Sequence, residues 1–200
     1  MKLILVRHGK TRENEKRISQ GQKYGTLSKE GLAQINLLVE RLKDVKIDFI
    51  YTSDLARANR TANSIAKYHP EVKIKKDKLL REIDHGEFSG KMVTPEDWLK
   101  LPGEKFGEKR SPGGERLLDV LERVKKFYQK ILKKHGEETV LVVTHGGVIY
   151  CFRSIFENLP LWKLRERPRA IANTSISEFE ITKDGEISTI CLGCDRHLLK

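Results

Sequence analysis

The chain opens Met1-Lys2-Leu3-Ile4-Leu5-Val6-Arg7-His8-Gly9-Lys10-Thr11, an apolar run that ends abruptly in a cation, an imidazole and a glycine. Four consecutive apolar residues, Leu3 to Val6, bounded by polar ones, describe a strand buried on both faces of a sheet. In open α/β sheets ligands sit at the carboxyl ends of the strands, so Arg7, His8 and Gly9 fall where a binding site is expected. Gly9 lets the backbone turn there and approach a ligand closely.

A second stretch has the same form. Thr139-Val140-Leu141-Val142-Val143-Thr144 is another buried strand, running directly into His145-Gly146-Gly147. If the two strands lie parallel in one sheet, His8 and His145 meet at a common edge. A third strand, ending Phe49-Ile50-Tyr51-Thr52, leads into Ser53-Asp54-Leu55-Ala56-Arg57 and brings a further arginine to that edge. The helix entered at His145-Gly146 adds backbone donors and a positive dipole, which suit phosphate.

Two histidines and two arginines select a chemistry. Zinc wants neutral imidazoles helped by thiolates or carboxylates, and a guanidinium beside each ligand opposes a dication, so a metal site is the poorer reading. Arginines match phosphate oxygens with planar forks of donors, and their charge keeps a neighbouring histidine neutral. A neutral imidazole facing a clamped phosphoryl group is a nucleophile.

Four ordered segments, Leu5 to Thr11, Ser53 to Ala58, Leu80-Arg81-Glu82-Ile83-Asp84-His85-Gly86-Glu87, and Thr144 to Gly147, resemble the histidine phosphatase superfamily, the phosphoglycerate-mutase-like proteins. The resemblance implies that His8 attacks phosphorus and becomes a phosphohistidine, and that Arg7, Arg57 and His145 bind the phosphate oxygens. It gives Glu82 the role of proton donor to the leaving alkoxide. Asn14 matches a residue that helps hold the phosphate, Gln20-Gly21 a loop lining the same pocket, and Gly146 opens the helix behind it. Lys10 stands where relatives commonly carry Glu or Gln. Ser89 stands where an acid often follows Glu87, which leaves Glu87 and Asp84 as reserve proton donors if Glu82 points away.

Within the family the segment Ile83 to Gly90 resembles the phosphatase branch rather than the longer tyrosine- and asparagine-containing mutase loop. The expected activity is therefore metal-independent and cofactor-free hydrolysis of a phosphomonoester of a small metabolite; alpha-ribazole phosphate, 3-phosphoglycerate and sugar phosphates are all admissible. Two alternatives are a cofactor-dependent phosphoglycerate mutase and a noncatalytic binder of phospho-ligands or nucleic acid.

The bounds of the chain agree. Its 200 residues are 38% hydrophobic and 34% charged, with a formal charge of +11. That charge favours anionic partners. The basic residues are nevertheless interleaved with acids, as in Lys29-Glu30 and Glu122-Arg123, and no aromatic stacking signature accompanies them, so nucleic acid is not the expected partner. No span approaches the roughly 18 apolar residues of a membrane helix, and the N-terminus lacks the long apolar region of a signal peptide, so a cytoplasmic location is expected. Cys151, Cys191 and Cys194 read as packing residues in a reducing compartment. No residue pattern fixes the oligomeric state; a homodimer is compatible with the sequence.

The expected architecture is a single α/β domain over residues 1–200, a three-layer sandwich with a mostly parallel central sheet flanked by helices. Ser28 caps a helix whose core face is Leu32, Ile35, Leu38, Val39 and Leu42, ending near Val45. A strand from Ile47 to Thr52 follows, then a close-packed helix through Ala58, Thr61, Ala62, Ile65 and Ala66, with Arg60 facing away from the site. Val72 to Lys75 alternates as a strand. Leu117 to Leu132 carries a helical apolar repeat with Leu118, Leu121, Val124, Phe127, Tyr128 and Ile131, and His135 beyond it reads as a cation on the helix dipole. Ser175 to Thr182 and Glu186 to Cys191 form a hairpin. Residues from about 83 to 113, rich in Gly, Pro and charge with Phe88, Met92, Trp98, Leu101 and Phe106 scattered among them, break the pattern. They are either a lid folded over the site or an ordinary packed excursion. His85 and His197 carry no expected chemistry.

Overall fold

A computed structural model describes residues 1–165 and 171–199. Its strands are β1 (Lys2–Arg7), β2 (Phe49–Thr52), β3 (Ile74–Lys76), β4 (Thr139–Thr144), β5 (Ile176–Ile181) and β6 (Ile187–Cys194). They form one sheet in the order β3-β2-β4-β1-β5-β6; the first four are mutually parallel and the last two antiparallel. The helices are α1 (Arg12–Glu15), α2 (Lys29–Leu42), α3 (Ala56–Ala66), α4 (Pro95–Leu99), α5 (Leu117–Lys134), α6 (Gly146–Phe156) and α7 (Leu161–Arg165). The expected α/β sandwich with a mostly parallel sheet is the observed one.

The apolar runs of β1 and β4 are fully buried because both sheet faces are covered. Ile4, Val6, Leu141 and Val143 point to one face and pack with Ile35, Leu38 and Leu42 of α2 and Ala58, Ala62 and Ile65 of α3. Leu3, Leu5, Val140 and Val142 point to the other, against Val124, Phe127 and Ile131 of α5 and Val148 and Phe152 of α6. The connection from β1 leaves toward β2, skipping a place; that from β4 leaves the other way, toward β5. Adjacent strands departing in opposite directions open a crevice at their carboxyl ends, the switch point where open sheets bind ligands.

Local readings hold at the starts of helices and slip at their ends. Ser28 caps α2 by accepting from the Gly31 amide at 3.1 Å. α2 stops at Leu42 rather than Val45, and β2 begins at Phe49 rather than Ile47. Leu32 is 52% exposed and Leu132 37%, so the core face of each helix is narrower than the apolar spacing implied. The reading of His135 as a helix-end cation is corrected: it is buried, its Nε2 lies 2.9 Å from the Tyr51 hydroxyl, and its ring packs on Phe49. Burial holds its pKa below the ordinary value, so it serves as a neutral partner for Tyr51.

Candidate active site

Register brings the two histidines together. Arg7 lies opposite Thr144 in the β1–β4 ladder, and the His8 amide donates to the Thr144 carbonyl at 2.9 Å. One residue further on each strand, the rings of His8 and His145 sit 5.1 Å apart, centroid to centroid. Both are buried.

The two nitrogens of His8 have different surroundings. Nδ1 is 2.8 Å from the Gly9 carbonyl, which can only accept, so Nδ1 carries the proton and Nε2 the lone pair. Arg57 Nε donates to that lone pair at 3.3 Å. Burial, then Arg57, then Arg7 hold the His8 pKa well below its ordinary value, outweighing the opposing bond to Gly9. His145 is lowered likewise, by burial first and by Arg57 next, and neither of its ring nitrogens has a hydrogen-bond partner among the described residues. Two neutral imidazoles therefore sit beside one another between two guanidiniums, with the hydrogen-bonding capacity of His145 unused among the described residues.

The guanidiniums are anchored by backbone carbonyls. Arg57, on the first turn of α3, donates to Gly21 at 2.8 Å and Lys23 at 3.0 Å, which ties the 18–25 loop over the site. Arg7 donates through Nη1 to Ile171 at 2.5 Å and leaves Nε without a partner among the described residues. Carbonyl anchors orient both cations without neutralising them, so their positive field remains available to an anion. The first turn of α6 adds the Gly146 amide at a helix of eleven residues whose N-terminus opens on the same point.

Glu82 closes the ring. Its carboxylate accepts from the Ile83 amide at 3.0 Å and from the Gly147 amide at 3.3 Å, and its charge is felt at both Arg7 and Arg57. The reserve donors are placed elsewhere: Asp84 is occupied by the Gly86 amide, and Glu87 is exposed. Asn14 Oδ1 accepts from the Thr11 amide and from Asn173 Nδ2, at 3.2 and 3.4 Å. Gln20 is buried with its Oε1 unpartnered among the described residues. Gly21 adopts φ +53°, and a methyl there would lie 2.5 Å from Ser89 Oγ, so the loop needs glycine both for conformation and for space. Arg60 is exposed, as expected.

Several positioning residues escaped the sequence reading. Arg123 of α5 donates to the carbonyls of Leu79, at 2.7 Å, and Glu82, at 3.0 Å, while paired with Glu115. Glu115 in turn accepts from the Asp84 amide at 2.9 Å, and Gln22 Nε2 donates to the Glu82 carbonyl at 3.2 Å. Arg81 forks onto Asp54 at 2.7 and 2.5 Å, joining the Glu82 segment to the end of β2. Asn173 Nδ2 donates to the His8 carbonyl at 2.9 Å, and Thr61 Oγ1 accepts from the Gly9 amide at 3.1 Å. Arg81 and Asp54 lie inside segments that carry the family resemblance, but their pairing has no local signal.

The 83–113 segment carries α4 and 3-10 turns at Lys78–Leu80 and Gly86–Phe88 flank its start. It is fastened to the 18–25 loop: Lys23 Nζ donates to Ser89 O, the Gly90 amide to Ser19 O, and Ser19 Oγ bonds His85 Nδ1. Among the described residues no group of three or more His, Cys, Asp or Glu is arranged to hold a metal ion, and no helix is long and apolar enough to cross a membrane.

Comparison with known proteins places this geometry. The profile of the histidine phosphatase superfamily (branch 1) matches residues 3–190. Phosphoglycerate mutase-like protein 4 of Arabidopsis thaliana is 35% identical over 200 residues, covering 94% of this chain and 82% of the relative. Phosphoserine phosphatase 1 of Hydrogenobacter thermophilus is 38% identical over 163 residues, covering 76% of this chain and 75% of the relative. The structure of Bacillus stearothermophilus YhfR superposes with a TM-score of 0.84 at 31% identity, covering 98% of both chains. The chain is an enzyme of the histidine phosphatase superfamily, branch 1.

Proposed function

We propose that the protein is a metal-independent phosphomonoesterase of the cytoplasm that acts on a small phosphorylated metabolite through a phosphohistidine on His8. The observation that carries this reading is the tautomer: Nδ1 is tethered to Gly9 O, which leaves Nε2 as the lone pair facing Arg57. In the first step Nε2 forms a bond to phosphorus as the ester oxygen leaves, and Glu82 hands that oxygen a proton. In the second, water attacks the phosphohistidine, Glu82 takes the proton from the water, and His8 is released with inorganic phosphate. Two modest displacements replace one difficult one.

Arg7, Arg57, neutral His145, Asn14 and the Gly146 amide hold the equatorial oxygens, with Gln20 and Gly21 shaping the rim. Fixed donors aimed at developing charge in a water-poor site lower the barrier to phosphoryl transfer without reorganisation. The cations supply the positive field that a metal supplies in other phosphatases. The 83–113 segment acts as the lid of a single domain.

Turnover of p-nitrophenyl phosphate in EDTA tests the proposal. Sustained hydrolysis that His8→Ala abolishes is expected; activity lost to the chelator, or retained without His8, would overturn it. The phosphoglycerate-mutase reading, kept in view by the Arabidopsis relative's name, predicts instead interconversion of phosphoglycerates stimulated by a bisphosphate primer.

A further inference from the structure

Beside Glu82 the protein holds a second feature that phosphate chemistry does not use, a cavity of about 500 Å3. Its walls are Val93, Pro95, Trp98, Leu99 and Phe106 from the 83–113 segment and Leu117 from the start of α5. Ile83, next to Glu82 along the chain, and His85, three residues on, bring it toward Glu82. Gly147 lies between Glu82 and Leu117 of the cavity wall. Its amide donates to Glu82 Oε2, and a methyl on its Cα would lie 2.4 Å from Glu82 Oε1 and 3.7 Å from Leu117 Cδ1. An alcohol leaving from His8 toward Glu82 therefore leaves toward this cavity.

Among the described residues, little in the walls would greet a charged alcohol. The His85 ring bonds Ser19 Oγ through Nδ1 and stands edge-on to Trp98, centroids 5.3 Å apart. Among the described residues Lys109 is the one cation in the lining, and its Nζ already serves the carbonyls of Leu99 and Leu101 at 3.1 and 2.7 Å. A carboxylate or ammonium entering here would lose its hydration without gaining a partner set aside for it. A hydrocarbon would gain by burial.

Building on the phosphatase reading above, we infer that this cavity receives the alcohol half of the substrate, and that the preferred substrates are phosphomonoesters of apolar alkyl or aryl alcohols. Phosphorylated amino acids and phosphoglycerates are then the poorer substrates, in contrast to what the names of the relatives indicate. Phe88, packed edge-on against Trp98, backs the wall and fixes the indole.

A series of n-alkylphosphonates, methyl to octyl, tests the cavity without chemistry, because the phosphorus–carbon bond resists hydrolysis. Calorimetry on the intact protein should show Kd falling roughly fourfold for each added methylene until the cavity is full. Val93→Asp and Trp98→Ala should flatten that gradient and leave the Kd of methylphosphonate unchanged. A flat series in the unaltered protein overturns the assignment. Hydrolysis of the matching alkyl phosphates, whose leaving alcohols differ little in acidity, is measured beside phosphoserine. A kcat/KM that rises with chain length and exceeds that for phosphoserine is expected; a higher value for phosphoserine overturns the ester preference. Absence of all hydrolysis with the phosphonate gradient intact would refute the phosphatase reading and the ester preference, while the cavity would keep its apolar ligand class.

Discussion

Arg123→Met removes a guanidinium that touches no substrate but carries the peptide bearing Glu82. The loss can be worked from its contacts: the Leu79 carbonyl at 2.7 Å, the Glu82 carbonyl at 3.0 Å, and Glu115 through Nη2 at 3.1 Å and Nε at 3.2 Å. Hydrogen bonds to charged groups contribute about 1.5–3 kcal/mol each, and breaking one side of a buried ion pair costs about 3–5 kcal/mol. The Arg123 side chain is 13% exposed and that of Glu115 28%, so the low end applies, and methionine refills part of the stem's volume. About 3 kcal/mol of stability should be lost, lowering Tm by roughly 6–12 °C in a chain of this size. The catalytic effect should exceed what the melt implies. Freed of its anchor, the Glu82 carboxylate drifts from the leaving oxygen, and a misplacement of about 1 Å can cost 10²-fold. That penalty depends on whether the leaving group needs a proton. kcat/KM for an alkyl phosphate should fall about 10²-fold, and that for p-nitrophenyl phosphate less than about tenfold, because nitrophenolate departs without one. Equal losses on both esters, or a lowered Tm with both rates intact, would refute the claim that Arg123 positions the acid.

Other outcomes follow from the same contacts. Glu82→Gln should separate the two esters in the same direction, leave Tm within a few degrees, and slow release of phosphate from His8; steady-state rates on both esters with a melt check this. The pKa values of all six histidines are lowered on folding, His8 and His145 most strongly and mainly through burial. The unfolded chain therefore binds more protons once the pH drops below about 6.5, so this part of the stability is complete above that pH and is lost on further acidification; Tm should fall between pH 7 and 5. By the same sign, the acid limb of kcat/KM should lie below the ordinary histidine range, and a limb near 6.5 would count against a neutral His8. Gly31→Ala should destabilise the phosphate loop, since a methyl there would lie 1.9 Å from the Lys10 carbonyl; a loss of about 1–3 kcal/mol by denaturant titration, with reduced activity, is expected.

What could be read from the chain was local or strictly periodic. The β1 and β4 runs declare themselves because a strand buried on both faces leaves no polar alternation, and the residues that follow them must then share an edge. That inference brings Arg7, His8 and His145 to one edge, and the run at β2 adds Arg57. Arg123 stayed hidden because it occupies an ordinary polar position of an amphipathic helix; its target, the backbone of Leu79 to Glu82, lies more than forty residues earlier in the chain. His135 was misread for a related reason. Its local setting, the end of a helix, invites a cation, whereas Tyr51 and Phe49 from β2 bury it. The cavity in the 83–113 segment was equally illegible, since irregular backbone places Trp98 and Phe106 by contacts that no spacing encodes.

Rapid acid-free quenching of the enzyme during turnover, followed by peptide mass spectrometry, looks for the covalent bond between phosphorus and His8 Nε2. One phosphoryl group on His8, stable in base, lost in acid and absent from His8→Ala, is the expected result. Phosphate on a serine, on His145, or on no residue at all while ester is being consumed would contradict it.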